Sequence, residues 1–254
     1  MTRVIALFNQ SGGVGKTTIT MNLGYQLANR GHRVLLIDMD PQASLTAFMG
    51  LELSEQDKTI YDTLLSEDEE PTIPIYHAIH QMDLSPTNII LADAEQELVL
   101  TEQREIRLRE PISAIKDQYD FILIDCPPSL GILSQISLVA ATHVLIPIQT
   151  QFKALMGTDS LLKTIKKVQR RLNRTLGFAG FCPTMYSPGN ALDQRTLEAI
   201  TEQLAPLGKV FTPIPRATAL AEASEYGRPL ALSPKKNPAV TAIFDGIAIS
   251  MEQL

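Results

Sequence analysis

The stretch Gly12-Gly13-Val14-Gly15-Lys16-Thr17-Thr18 sets a lysine and two hydroxyls directly behind small residues. Small residues let backbone N–H groups curl around phosphate oxygens, and a helix opening there adds positive potential. Lys16 suits neutralisation of β- and γ-phosphate charge, and the Thr17 hydroxyl suits Mg²⁺. Two carboxylate loops could serve the same site. Asp38-Met39-Asp40-Pro41-Gln42 carries a pair, and Asp125 opens a turn through Gly131 that Pro127 and Pro128 stiffen. Breaking a β–γ phosphate bond needs charge neutralised, Mg²⁺ held and a water aimed in line. Lys16 with the loop amides fits the first need, and Thr17 with Asp125 the second. The plainer alternative is a glycine turn that binds nothing; the lysine, threonines and downstream carboxylates argue against it.

Such residues work together only if strands end side by side. The apolar run Val4–Phe8 reads as a buried strand, and Ile19, Met21, Leu23 and Leu27 give a helix after the glycine turn. Gly31 stops that helix, and Arg33–Asp38 reads as the next strand. Phe121–Asp125, His143–Ile148, Gly177–Cys182 and Lys209–Ile214 read as further strands, with helical patterns between them. Met82–Asn88 and then Leu91–Leu98 suggest a short strand, a turn and a helix, while the acidic run Glu67–Glu70 suits a solvated loop. This alternation predicts an α/β fold: a mostly parallel, doubly wound sheet flanked by helices, in one domain spanning 1–254. Asp38, Asp40 and Asp125 then sit at the C-terminal ends of strands, where such sheets hold ligands.

The form GGVGKTT departs slightly from the G-x-x-x-x-G-K-[ST] spacing, since Gln10 stands five residues before Gly15. It resembles the deviant Walker A loop of the ParA/MinD group of P-loop NTPases. The resemblance covers nearly the whole chain, including the order of residues through Met82–Asn88 and Leu91–Leu98. It implies an Mg²⁺-dependent ATPase, with ATP and Mg²⁺ as cofactors. Ser11, Gly12, Gly13, Val14, Gly15, Lys16, Thr17 and Thr18 would surround the phosphates. Asp38 would lie near the Mg²⁺ shell with Thr17 and Asp125, and Asp40 would position the attacking water. Adenine contacts are implied at Thr184 and Met185 and at Pro215 and Arg216, largely through backbone. Loop capping by Asp38 and Asp40, and plain turns at the adenine positions, are the structural alternatives.

ParA-type chains normally carry a lysine immediately before the two glycines, and it crosses an ATP-sandwiched homodimer to the partner's nucleotide. Here that position is Ser11. Lys153 is the only lysine or arginine between the His143–Ile148 strand and the basic stretch that follows. Family members usually have an aromatic residue near there, as in QxxYxALEG, whereas this chain reads Gln151-Phe152-Lys153-Ala154-Leu155-Met156-Gly157. A cation in that segment could cross such an interface. An exposed lysine without a role is the alternative. A missing signature lysine with a later substitute resembles the carboxysome-positioning branch, maintenance of carboxysome distribution protein A (McdA). That resemblance implies an ATP-dependent homodimer in which Lys153 joins Lys16 and Asp40 in the catalytic set. It also implies a carboxysome as cargo and a cargo-associated activator, McdB-like or ParB-like. Plasmid or chromosome partition is the nearest alternative.

Lys163, Lys166, Lys167, Arg170, Arg171 and Arg174 have no acidic residue among them. On a helix they fall within about 140° of arc, with Leu161, Ile165, Val168 and Leu172 opposite. A solvated helix usually intersperses Glu and Asp, so the pattern predicts phosphate-backbone binding to nucleoid DNA. No base-reading motif accompanies it, so binding is expected to ignore sequence and fall with salt. A dimer would present two such faces and gain avidity. MinD-like relatives hold membranes through a basic amphipathic C-terminal helix. Here no lysine or arginine follows Lys236, so no membrane partner is expected.

Lys and Arg total 22 against 28 Asp and Glu, a net charge of −6. That balance disfavours coating nucleic acid everywhere and leaves room for one local basic face. With a strand near the first residue no signal peptide is expected, and no apolar run approaches the ~20 residues of a membrane span. The expected location is cytoplasmic and nucleoid-associated. Cys126 and Cys182 lack metal-ligand spacing, which weighs against a redox or metal-delivery ATPase built on a cluster. A module holding ATP only as a structural ligand is the remaining rival, and turnover with DNA and partner present separates the two.

Overall fold

The computed structural model describes residues 1–54 and 56–254, with the backbone alone at Phe152, Leu155 and Met156. The chain opens with β1 (Arg3–Leu7), α1 (Lys16–Asn29) and β2 (Val34–Asp38). Short helices α2 (Ser44–Phe48) and α3 (Ile60–Leu65) precede a hairpin of β3 (Tyr76–Ile79) and β4 (Met82–Ser85). Next come α4 (Leu91–Leu100), α5 (Arg109–Ile115), β5 (Phe121–Asp125), α6 (Ile132–Ala140), β6 (His143–Gln149), α7 (Phe152–Arg171) and β7 (Gly177–Thr184). Helices α8 (Ala191–Leu204), α9 (Thr218–Glu225) and α10 (Pro238–Met251) follow. Among the described residues no helix is long and apolar enough to cross a membrane.

The strands form one seven-stranded sheet in the order β3-β4-β2-β5-β1-β6-β7. Every neighbouring pair is parallel except β3–β4. All residues of β2 and β5 are buried, as expected of strands with helices on both faces. One face packs Ala6, Ile37 and Ile124 against Leu98, Ile136 and Ile165 of α4, α6 and α7. The other packs Leu7, Leu36 and Leu123 against Leu23, Leu27 and Phe244 of α1 and α10. Gly24 permits the close approach of α1, because a Cβ there would lie 2.8 Å from Leu36 Cδ2 and 2.9 Å from Met82 Sδ. Register carries this order into the site: Asp38 pairs with Asp125 across β2–β5, and Leu7 pairs with Asp125 across β1–β5. Three strand ends thus converge on one edge.

Two local expectations need correction. Lys209–Ile214 is no strand; it touches the sheet through isolated bridges, Phe181 to Val210 and Tyr186 to Pro215. Pro213 and Pro215 lack the N–H that a ladder needs, although Phe211 and Ile214 still donate to the Phe181 and Pro183 carbonyls at 2.9 and 2.8 Å. The basic run also outlasts its helix, since α7 ends at Arg171 and Arg174 lies beyond it. The edge strand β3 carries no apolar pattern, and left-handed backbone at Ala78, His80 and Gln81 shapes its hairpin.

Candidate active site

The phosphate loop is held open by its neighbours. Gly13 and Gly15 take φ values of +68° and +90°, which side chains resist. Gln149 Nε2 donates to the Gly13 carbonyl at 2.8 Å and Thr184 Oγ1 to the Val14 carbonyl at 2.9 Å. The ends of β6 and β7 thereby pin the loop by its carbonyls. Among the described residues, the N–H groups of Gly13 to Thr18 donate to no protein acceptor, and α1 has no side-chain cap. An uncapped helix end with free amides is an anion site.

Lys16 is buried within this loop, and its Nζ donates to the carbonyls of Asn9 at 3.1 Å and Ser11 at 3.0 Å. Burial lowers its pKa, while Asp125, Cys126 and Asp40 act in the opposite direction. Asn9 is itself fixed, donating from Nδ2 to the Pro147 carbonyl at 2.7 Å and accepting from Ser11 N at 2.9 Å. Asn9 and Gln149 escaped the sequence reading. The available signal was a polar residue at a buried strand's end beside the glycine turn.

The two carboxylates in register are treated differently. Asp38 accepts from Thr46 N at 2.9 Å, Thr46 Oγ1 at 2.8 Å and Asp40 N at 3.2 Å. Burial still pushes its pKa up to about 6. Its oxygens thus hold the loop and the start of α2, the capping role anticipated as the alternative. Asp40 accepts from Gln42 N at 3.0 Å and lines a cleft of about 290 Å³ with Gly12 to Thr18. Among the described residues, Asp125 Oδ1 accepts from Thr20 Oγ1 at 3.4 Å, the Thr17 hydroxyl lowers its pKa, and its Oδ2 is buried without a partner. Burial and the charge of Asp38 push its pKa up to about 8, against the pull of Thr17 and Lys16.

That orphaned oxygen is the fit test for Mg²⁺. A buried carboxylate lacking a donor suits a cation, and Thr17 lies beside it. Among the described residues no cluster of three or more His, Cys, Asp and Glu could hold an ion alone. Phosphate oxygens and waters would complete the shell, which is the usual Mg²⁺ arrangement.

The positions expected to contact adenine do converge. Thr184, Met185, Pro215 and Arg216 line a cavity of about 800 Å³ that reaches Gly15 and Thr18. Phe48 and Leu220 also line it, a meeting that no spacing in the chain foretells. Met185, at φ +55°, borders this cavity, the phosphate cleft and a third space of about 570 Å³. Lys153, exposed near the start of α7, lines that third space beside Arg216. Gln10 Nε2 donates to the Gly157 carbonyl at 3.4 Å, so the first turns of α7 flank the exposed Ser11. Lys163, Lys166, Lys167, Arg170, Arg171 and Arg174 are all exposed, while Leu161, Ile165 and Val168 are buried. Cys126 and Cys182 are buried in different cores on opposite faces of the sheet, so they do not form a pair.

A family model described as an AAA domain matches residues 2–178. The chromosome-partitioning ATPase Soj of Treponema pallidum is 41% identical over 231 residues, 91% of this chain and 89% of that protein. Among solved structures, cobyrinic acid a,c-diamide synthase from Mycobacterium smegmatis was crystallised with a bound ATP analog and magnesium. It matches with a TM-score of 0.86 and 31% identity, covering 100% of this chain and 95% of that one. Apo McdA from Cyanothece matches with a TM-score of 0.89 over 99% of this chain and 100% of its own, at 23% identity, a likeness of fold alone. With its pinned glycine loop, its parallel sheet and these relatives, the chain belongs to the ParA/MinD family of P-loop ATPases.

Proposed function

We propose that this chain hydrolyses ATP with Mg²⁺, and that its ATP-bound form is a homodimer holding nucleoid DNA without sequence preference. One observation carries the reading. Two adjoining clefts that share Gly15, Thr18, Phe48 and Met185 run from Pro215 and Arg216, past the free amides of Gly13 to Thr18, to Lys16 and Asp40. The change from an apolar lining at Ile214, Pro215 and Leu220 to Lys16 and Asp40 suits a nucleoside triphosphate.

When bound, Mg²⁺ supplies charge neutralisation across the β- and γ-phosphates. Thr17 and Asp125 are the residues to hold it. Lys16 exchanges the Asn9 and Ser11 carbonyls for phosphate oxygens, which carry more negative charge. Asp38 holds the loop through three hydrogen bonds, and that hold aims Asp40 at the attacking water. Lys153 supplies the cation across the dimer that Ser11 cannot, because facing triphosphates repel strongly where water is excluded. Lys163, Lys166, Lys167, Arg170, Arg171 and Arg174 hold the phosphate backbone of DNA.

Hydrolysis, stimulated by a cargo-bound activator, releases the DNA and so positions the cargo. Ser11 and Lys153 favour a carboxysome. The 41% identity to a chromosome-partitioning ATPase favours a chromosome or plasmid locus. Asp40→Ala tests the cycle: it should retain ATP, accumulate dimer and co-purify with the activator, whose identity then names the cargo. Unchanged turnover in this variant removes Asp40 from the mechanism.

A further inference from the structure

Helices α6 and α7 leave a cavity of about 420 Å³ between them, separate from the nucleotide cleft. Its floor is apolar, made by Leu138, Val168 and Leu172. Its rim carries Lys167, Arg171 and Leu130, the last 48% exposed. No Asp or Glu lines it, and among the described residues neither Lys167 nor Arg171 forms an ion pair. We infer that this groove is a docking site for a short segment of a partner protein in which acidic side chains adjoin apolar ones. The floor takes apolar side chains out of water, and the rim cations meet carboxylates. Charge complementarity selects this occupant, because a basic or uncharged segment would leave both cations unanswered.

The groove also touches the nucleotide site through one turn. Leu130 stands two residues after Pro128, which lines the phosphate cleft and would lie 3.9 Å from a Cβ on Gly12. Ser134, in the groove wall, donates to the Ser129 carbonyl at 2.8 Å. A segment seated on Leu130 therefore presses on the turn that faces the phosphates. It also covers Lys167 and Arg171, so partner and DNA exclude one another. These consequences rest on the ATPase and DNA readings; the docking itself does not.

The test uses the full chain and a fluorescein-labelled, end-blocked peptide of alternating aspartate and leucine, followed by fluorescence anisotropy. Saturable binding is expected, weakened at least about tenfold by Lys167→Ala with Arg171→Ala. Gln135→Trp, which fills the mouth of the groove, should abolish peptide binding while ATP binding persists and reports a folded protein. Absence of saturable binding up to about 1 mM overturns the inference, as does binding that ignores both variants. Loss of DNA binding in this protein would sink the DNA reading and leave the peptide result standing.

Discussion

Asp125 is the residue on which the site places most strain. It is fully buried, its Oδ2 meets no donor among the described residues, and its pKa is pushed up to about 8. An aspartate in the unfolded chain titrates near 3.8, so between those values the folded protein holds a proton that the unfolded chain has released. Stability of the ligand-free protein therefore falls as pH rises through that window. Asp125→Asn removes the charge. It should raise the ligand-free melting temperature at pH 9 by about 2–4 °C, the response of a chain this size to about 1 kcal/mol. The difference should nearly vanish at pH 4, where the carboxyl is protonated, and Mg²⁺-dependent tightening of nucleotide binding should be lost. Thermal scans at both pH values check the first part. Lys153 bears on a different step. Lys153→Ala should stay monomeric by light scattering with ATP while binding ATP as before; dimerisation like the parent's would move the trans contact elsewhere.

Helix α7 joins two readings in one element. Its buried stripe, Leu161, Ile165 and Val168, anchors it to the sheet, which leaves its cations directed outward. Replacing Lys166, Lys167 and Arg170 with alanine should weaken binding of arbitrary duplex while ATP affinity holds. Each phosphate contact removed should lower the slope of log affinity against log salt by about 0.9. This helix was legible in sequence because its period is strong, and β1, the loop and α1 were legible because an apolar run meets a glycine turn. Other parts were not. β3 has no apolar face to announce it, and Lys209–Ile214 has the apolar content of a strand but two prolines that break its ladder. The cavity proposed for adenine was legible only through resemblance, since Phe48 and Leu220 come from helices far apart in the chain. Asp38 was expected near the Mg²⁺ shell, and only the fold showed Oδ2 taking both Thr46 donors and Oδ1 the Asp40 amide.

Taken whole, the molecule sets its nucleotide cleft at the C-terminal edge of the sheet and its basic face on a helix packed against one side. The turn from Asp125 to Gly131 lies between them, with Pro128 lining the nucleotide cleft and Leu130 toward α7. On the proposed cycle, this layout lets the state of the phosphates reach the basic face, and a dimer would pair two such faces. The central claim is that nucleotide switches DNA binding. Its most direct test is the affinity for a mixed-sequence duplex at low salt, with Mg²⁺ and either a non-hydrolysable ATP analogue or ADP. The account predicts binding at least about tenfold tighter with the analogue, falling steeply as salt rises. Equal affinity in the two nucleotide states would contradict it.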